Sequence, residues 1–179
     1  MADITETNEL NYEPVEIVAP VFRFAIREDL INSNFNFLPT KAHVEDTGWD
    51  VRAAEKFVLR AGQYAKIPLG FRIFAPSGWW IECRPRSSTF GKKQLHCLYG
   101  VIDEGYEGEC FFVCQYIPDI SAMGQDLVIN FGDAIGQFIP VRRQEMVVQE
   151  ITNKDYDSSC KARNAKRGIG ALGSTDGKK

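Results

Sequence analysis

The sequence GVIDEGYEG at residues 100–108 is the most informative stretch of this chain. An apolar run of the kind found in β-strands ends at Asp103, and a glycine turn then leads to Tyr106. A second β-rich run, CFFVCQYI, follows at residues 110–117. An acid at a strand end beside a tight turn is held by the sheet and still faces solvent, which suits a general base. The turn lets Tyr106 lay its ring against whatever Asp103 faces. Taken alone, the stretch is also that of a hairpin with a polar tip.

The regions around this hairpin have the composition of a β protein. Segments rich in Val, Ile, Phe, Tyr and Trp alternate with Gly, Pro and Asp turns. This pattern predicts an all-β fold, either a barrel or a jelly-roll sandwich, with one short helix near residues 88–94 and a loop at 118–126. The predicted strands cover residues 15–26, 49–59, 71–76, 79–84, 109–117, 126–131 and 134–149.

Composition limits the class of protein. The chain has 179 residues, 44% of them hydrophobic, which predicts one domain with one core. A net charge of −3, with both signs interspersed, argues against binding to nucleic acid or to an anionic membrane. No apolar run is long enough to span a bilayer, and the N-terminus lacks the features of a signal peptide. The five cysteines include no CxxC pair, and several lie in apolar strand-like runs as reduced core thiols do, so we expect a soluble, cytoplasmic protein.

Two polar turns offer further candidates for chemistry. In EDTGWDVRA at residues 45–53, Asp50 stands between apolar neighbours and should point away from the core. It could hold a hard cation, directly or through water, or accept backbone N–H groups at the turn. In RPRSSTFG at residues 84–91, arginine donors, hydroxyls and turn amides combine as in a phosphate-binding loop, although such turns are also common on surfaces.

Two more segments complete the set of candidates. In GDAIGQFI at residues 132–139, Gln137 interrupts an apolar run and either satisfies a buried backbone group or reaches a ligand. The C-terminal segment RGIGALGST at residues 167–175 has the glycines, arginine and hydroxyls of a loop that wraps a phosphate, but it lacks the features of a P-loop. Beyond about residue 150 few large apolar residues occur, which predicts an arm that is mobile when free.

Taken in order, the five segments resemble the motifs of the trimeric dUTP diphosphatase (dUTPase) family, over roughly residues 36–176. The resemblance implies a distorted jelly-roll β-barrel of the dUTPase-like β-clip type, a homotrimer, and active sites at subunit interfaces. It divides the chain into an N-terminal extension at 1–35 that is partly β, a barrel at 36–150, and a flexible C-terminal arm at 151–179 that carries the fifth motif.

The resemblance also implies an activity. Members hydrolyse dUTP to dUMP and pyrophosphate, which keeps uracil out of DNA and supplies dUMP for thymidylate synthesis. By matching positions, Asp103 would activate the attacking water, and Arg86 would pair with Asp103. Tyr106 would lie under the deoxyribose and exclude a 2′-hydroxyl. Asp50 would hold Mg²⁺ through a water shell, with the metal carried mainly by the phosphates.

The remaining substrate-binding positions follow from the same matches. Main-chain groups between Leu98 and Ile102 would bind the uracil edge, and the C-terminal arm would close over the base and the distal phosphates. The positions that would contact dUTP are Ser87, Ser88, Gly100, Val101, Ile102, Gln137, Arg167, Leu172, Gly173, Ser174 and Thr175.

Several positions depart from the family pattern. Leu172 stands where an aromatic residue usually covers the uracil ring, which predicts weaker closure, and Ala171 replaces a glycine. Ser88 is more typical of the related dCTP deaminases, but their chemistry needs a glutamate about ten residues beyond Asp103, where this chain has Val113. The other alternative is a regulatory protein of the same fold that binds a protein partner through residues 1–35 or 118–126.

Overall fold

The chain folds mainly into antiparallel β-structure. A computed structural model describes residues 19–164. The first four-stranded sheet has the order β1-β4-β8-β6 and the second has the order β2-β10-β5-β7, while β3 pairs with β9 in a small two-stranded sheet. The strands are β1 (Arg23–Ile26), β2 (Trp49–Arg52), β3 (Phe57–Leu59), β4 (Tyr64–Phe74), β5 (Trp79–Pro85), β6 (Leu95–Cys97), β7 (Gly100–Ile102), β8 (Glu109–Tyr116), β9 (Leu127–Ile129) and β10 (Ala134–Arg142).

Alternating burial along the strands builds one core between the two larger sheets. Phe71, Phe112 and Phe138 are each at most 1% exposed, and the rings of Phe71 and Phe138 meet edge to face at 5.7 Å. Burying each ring contributes on the order of 2–3 kcal/mol. All paired strands are antiparallel, so the predicted all-β class is confirmed.

Most predicted strands are present with altered bounds. The predicted strand 49–59 is two strands, β2 and β3, and the predicted strand 71–76 is the end of β4, which begins at Tyr64. Pro68 and Gly70 hid the first half of β4, because both residues are unfavourable within strands. The structure accommodates them at a register shift between Pro68 and Arg72. The prediction that a strand continues to residue 149 is wrong, since β10 ends at Arg142.

The N-terminal boundary also differs from the predicted one. β1 pairs with β4 from Arg23 to Ile26, so residues that were assigned to an extension form part of the first sheet. Apolar residues on this strand join the core, where the rings of Phe24 and Phe71 lie 5.4 Å apart. The segment predicted to be partly β thus contributes the strand Arg23–Ile26 to the first sheet.

Two α-helices are present in the described range, besides two short 3-10 turns at Glu28–Leu30 and Ile120–Ala122. The short helix α1 (Ser87–Gly91) was predicted near residues 88–94. Helix α2 (Asn153–Arg163) was not predicted, because the sequence there lacks an apolar stripe and none of its residues is buried. Its ends carry the signals of a helix: the Thr152 hydroxyl accepts the Asp155 amide at 3.2 Å, and Asn164 is left-handed at φ 51°.

The described residues fall into two compact units, of which the first ends at Arg143 and the second begins at Gln144. The barrel lies in the first unit, and α2 is the regular element of the second within residues 144–164. No helix in the described range is long and apolar enough to cross a membrane.

Candidate active site

Side chains of three predicted motifs meet on the outward face of the second sheet. Asp50 on β2 lies opposite Gln137 on β10, and Gln137 in turn lies opposite Arg84 on β5. Arg86 follows the end of β5, and its Nε lies 2.8 Å from Asp50 Oδ1. Both partners are partly exposed, with side chains 35% and 24% accessible. The structure therefore brings the first, second and fourth motifs together in one chain.

Gln137 links the second motif to the first. Its Nε2 donates to the carbonyl of Pro85 at 2.9 Å. The amide thus satisfies a backbone group, which is one of the two roles that the sequence left open. Its Oε1 packs so closely on Gly48 that a Cβ at that position would clash with it. A side chain at Gly48, which no sequence argument assigned, would therefore displace the Gln137 amide. The contacts fix the Gln137 side chain beside Asp50 and Arg86.

Thr89 anchors the loop that carries Arg86, Ser87 and Ser88. It is fully buried, and its hydroxyl donates to the carbonyl of Ile135 at 2.8 Å and accepts from the Arg86 amide at 3.1 Å. A buried hydroxyl with both bonds satisfied joins β10 to the start of α1. Thr89 was not predicted as a site residue. The signal for it in the sequence is its position three residues after Arg86, where a side chain can cap the start of a helix. Ser87 is exposed and Ser88 is half-buried.

Replacing Thr89 by valine should destabilise the protein by about 3 kcal/mol, because a buried N–H and a buried carbonyl lose their partner without a change in side-chain shape. The shift in the urea midpoint at unchanged m-value measures this effect. Thr89→Ser is the matched control, since it keeps the hydroxyl and should lose less than half as much. A valine variant as stable as the parent would show that the two hydrogen bonds contribute nothing.

The hairpin predicted from β7 and β8 is not formed, because these strands lie in different sheets and β7 pairs with β5 at the edge of the second sheet. The third motif lies instead in the connection of the hairpin that β6 and β8 form. Its turn closes with a hydrogen bond of 3.0 Å from the Tyr106 amide to the Asp103 carbonyl. Asp103 is exposed, and its carboxylate has no hydrogen-bond or ion-pair partner within residues 19–164. The Tyr106 hydroxyl donates to the carbonyl of Glu109 at 2.8 Å, and its ring covers Gly108 so closely that a Cβ there would clash. The ring is thus fixed while 42% of the residue stays exposed.

The two halves of the site are separated within one chain. Ile102, next to Asp103, lies opposite Ile81 on β5, whereas Arg86 follows the other end of β5. The five residue steps from Ile81 to Arg86 span about 16 Å at strand spacing. A direct Arg86–Asp103 pair, which the resemblance implied, is therefore not formed within one chain, and Arg86 pairs with Asp50 instead.

The segment expected to bind the uracil edge connects the two larger sheets. The Leu98 amide donates to the Val113 carbonyl at 3.0 Å, and β7 pairs with β5 from Gly100 to Ile102. Gly100 and Ile102 are half-buried, while Val101 is 61% exposed. The segment is thus held at both ends by backbone hydrogen bonds.

The cysteines behave as the sequence predicted. Cys83, Cys110 and Cys114 are buried and Cys97 is half-buried, all as free thiols, while Cys160 is exposed. Burial raises the pKa of Cys97 to about 12 and that of Cys114 to about 11. Such thiols are protonated at neutral pH, which makes them poor nucleophiles and poor metal ligands.

The predicted substrate-binding residues of the C-terminal arm and the predicted metal site are not fully covered by the described residues. Arg167, Leu172, Gly173, Ser174 and Thr175 lie outside the described residues. Within residues 19–164, no cluster of three or more His, Cys, Asp or Glu side chains could hold a metal ion. Asp50 therefore offers a single carboxylate, one oxygen of which already meets Arg86.

Comparison with known proteins agrees with this geometry. A family model described as dUTPase matches residues 36–170. A deoxyuridine 5′-triphosphate nucleotidohydrolase of Mycolicibacterium gilvum is 32% identical over 142 residues, covering 78% of this chain and 88% of the relative. The enzyme of the same name from Yarrowia lipolytica is 29% identical over 137 residues, covering 76% of this chain and 80% of its own.

Solved structures share the fold. A mutant dUTPase from phage 80alpha superposes with a TM-score of 0.70 at 20% identity, covering 86% of this chain and 98% of its own. The dUTPase from phage phi11 of S. aureus gives a TM-score of 0.62 at 21% identity, covering 73% and 96%. The fold is therefore that of the dUTPase-like β-barrels, as predicted. The chain belongs to the dUTPase family.

Proposed function

We propose that this protein hydrolyses dUTP to dUMP and pyrophosphate. The observation that carries the proposal is the exposed Asp103 at the tip of a hairpin whose Tyr106 ring is fixed, in a chain of the dUTPase family. The homologue from Mycolicibacterium gilvum, named as a nucleotidohydrolase of deoxyuridine 5′-triphosphate, supports the same substrate.

In the proposed reaction, Asp103 accepts a proton from a water molecule as the water oxygen attacks a phosphorus of the triphosphate. The bond between that phosphorus and the bridging oxygen breaks, and pyrophosphate leaves with the electron pair. Charge grows on the phosphoryl oxygens, where Arg86 and the amides and hydroxyls of Ser87 and Ser88 would stabilise it. Gln137 would orient the phosphate chain through its side-chain amide.

We propose a homotrimer in which Asp103 of one subunit meets Arg86 of another. The separation of about 16 Å along β5 supports this, because a single chain cannot bring both groups to one phosphate. The Nε of Arg86 contacts Asp50, so its terminal N–H groups would be the donors to a second acceptor such as a carboxylate or a phosphate. Pairing with Arg86 would hold the Asp103 carboxylate in place.

Magnesium would bind with the substrate. The available donors fit an ion that keeps most of its water and is carried mainly by phosphate oxygens, because Asp50 is a single, partly exposed carboxylate. Asp50 would hold a water of the hydration shell. When bound, Mg²⁺ supplies positive charge that neutralises the triphosphate.

Selection of the nucleotide would rest on the hairpin. The fixed Tyr106 ring would lie under the deoxyribose, where a 2′-hydroxyl would clash, and backbone groups of Gly100, Val101 and Ile102 would bind the uracil edge. Arg167, Ser174 and Thr175 of the arm would bind the distal phosphates, while Leu172 and Gly173 would close over the base.

One specific observation argues against deamination, the alternative reaction. Val113, the position where a deaminase needs its acid, lies opposite Lys66 on β4, and its carbonyl accepts from Leu98 beside the predicted base-binding segment. A valine supplies no carboxylate for proton transfer at C4. The chain should therefore leave dCTP unchanged.

Mixing two inactive variants tests the site between subunits. Asp103→Asn and Arg86→Ala trimers should each be inactive, because every site lacks one group. Co-expressed subunits should form mixed trimers. Random assembly should restore about one quarter of the sites, because each site needs an intact Asp103 from one chain and an intact Arg86 from another, and each is present half of the time. The control is a mixture of the two separately purified trimers under conditions in which subunits do not exchange. Mixed trimers with no more activity than either parent would contradict a shared site.

A further inference from the structure

The carboxylate of Glu104, the residue after Asp103, joins the hairpin to two other parts of the barrel. Its Oε2 accepts the backbone amide of Gly78 at 2.8 Å and the Nη1 of Arg143 at 2.8 Å. Gly78 lies in the turn between β4 and β5, at φ +78°. The Arg143 amide in turn donates to the Gly78 carbonyl at 2.8 Å, so the three segments form a closed set of contacts.

The environment of Glu104 favours its ionised form. The amide of Gly78 is the largest cause that holds the pKa of the Glu104 carboxyl below its ordinary value, and contacts with Ser77 and Arg143 act in the same direction. Because the pKa is lowered, the stabilisation is complete at neutral pH and is lost only as the pH falls through the lowered value. Glu104 is therefore a charged anchor at neutral pH.

The hairpin depends on this anchor because little else holds its tip. β7 has three residues and its ladder to β5 ends at Ile102, just before Asp103. Within residues 19–164, the remaining hydrogen bonds of residues 103–107 stay inside the hairpin, at Tyr106. Among the described contacts, Glu104 thus provides the hydrogen bonds that connect the turn bearing Asp103 to the 76–78 turn and to the end of β10.

We propose that Glu104 is a positioning residue for Asp103. The inference rests on the proposed function, in which Asp103 is the base. A base that moves by about 1 Å loses alignment with the attacking water, which lowers turnover more than substrate binding.

The test compares two acids of the same hairpin. Glu107 is exposed and has no hydrogen-bond or ion-pair partner in the described part of the chain, so Glu107→Ala is the matched control. Glu104→Ala should lower kcat for dUTP about tenfold with KM changed less than about twofold. Glu104→Gln keeps an oxygen for the Gly78 amide and loses the charge, so its kcat should fall between the alanine variant and the parent.

Amide hydrogen exchange provides a readout that does not need turnover. In Glu104→Ala, the amides of Gly78 and Tyr106 should exchange at least about tenfold faster than in the parent, whereas Glu107→Ala should match the parent. Equal exchange in the two alanine variants, or equal kcat, would overturn the inference. A parent protein inactive on dUTP would instead refute the proposed function, and the exchange rates would still decide whether Glu104 anchors the hairpin.

Discussion

Replacing Asp103 by asparagine is expected to lower kcat for dUTP by about 10³-fold, within the range by which general bases contribute. Asparagine has nearly the same shape, but its amide cannot accept the proton of the attacking water. The Asp103 carboxylate has no partner in the described residues, so its replacement leaves no buried group unsatisfied. The fold and the affinity for nucleotide should therefore change little.

Two measurements separate these effects. Pyrophosphate release under single-turnover conditions reports the chemical step, and calorimetric titration with a non-hydrolysable dUTP analogue reports binding. Asp126→Asn is the matched control, because Asp126 is exposed on the loop before β9. If Asp103→Asn turned over dUTP within about threefold of the parent, another group would have to be the base.

Removing residues 165–179 should lower kcat/KM by at least about 10²-fold while leaving the thermal midpoint of the barrel unchanged. The deletion takes away Arg167 and the glycine-rich motif that we expect to bind the distal phosphates and exclude water. Cutting after Asn164 keeps α2 and its C-terminal cap. The barrel should not be affected, since every buried core residue in the described range lies between Leu30 and Phe138.

A shorter deletion provides the control for this experiment. Removing residues 177–179 takes off two lysines and a glycine but keeps the fifth motif, so it should retain the parental kcat/KM. Scanning calorimetry on both truncated proteins checks the barrel. Full activity after deletion of residues 165–179 would mean that the C-terminal motif takes no part in catalysis.

The parts of the fold that could be predicted are those with a strong local signal. The β8 run alternates buried and exposed residues, and the hairpin before it has glycines at its turn. β4 was only half predicted because Pro68 and Gly70 suggest a break, whereas pairing with β1 and β8 overrides that local preference. Helix α2 was missed because its stabilising features are end caps, without an apolar stripe.

The sequence predicted which residues lie near one another better than it predicted how their side chains pair. The motifs identified Asp50, Arg86 and Gln137, and the structure brings these three together. Sequence spacing could not show that Arg86 pairs with Asp50 in one chain, since that depends on the sheet order β2-β10-β5. No sequence argument gave Glu104 a role, because its partners Gly78 and Arg143 are distant in sequence.

The central claim is tested most directly by a panel of dUTP, dCTP, dTTP and UTP, each incubated with the full-length protein and Mg²⁺. Chromatography identifies the nucleotide products, and separate assays measure pyrophosphate and ammonia. We expect equal amounts of dUMP and pyrophosphate from dUTP, with kcat/KM at least about 10²-fold lower for the other three nucleotides. Ammonia released from dCTP, or UTP hydrolysed as fast as dUTP, would contradict this account.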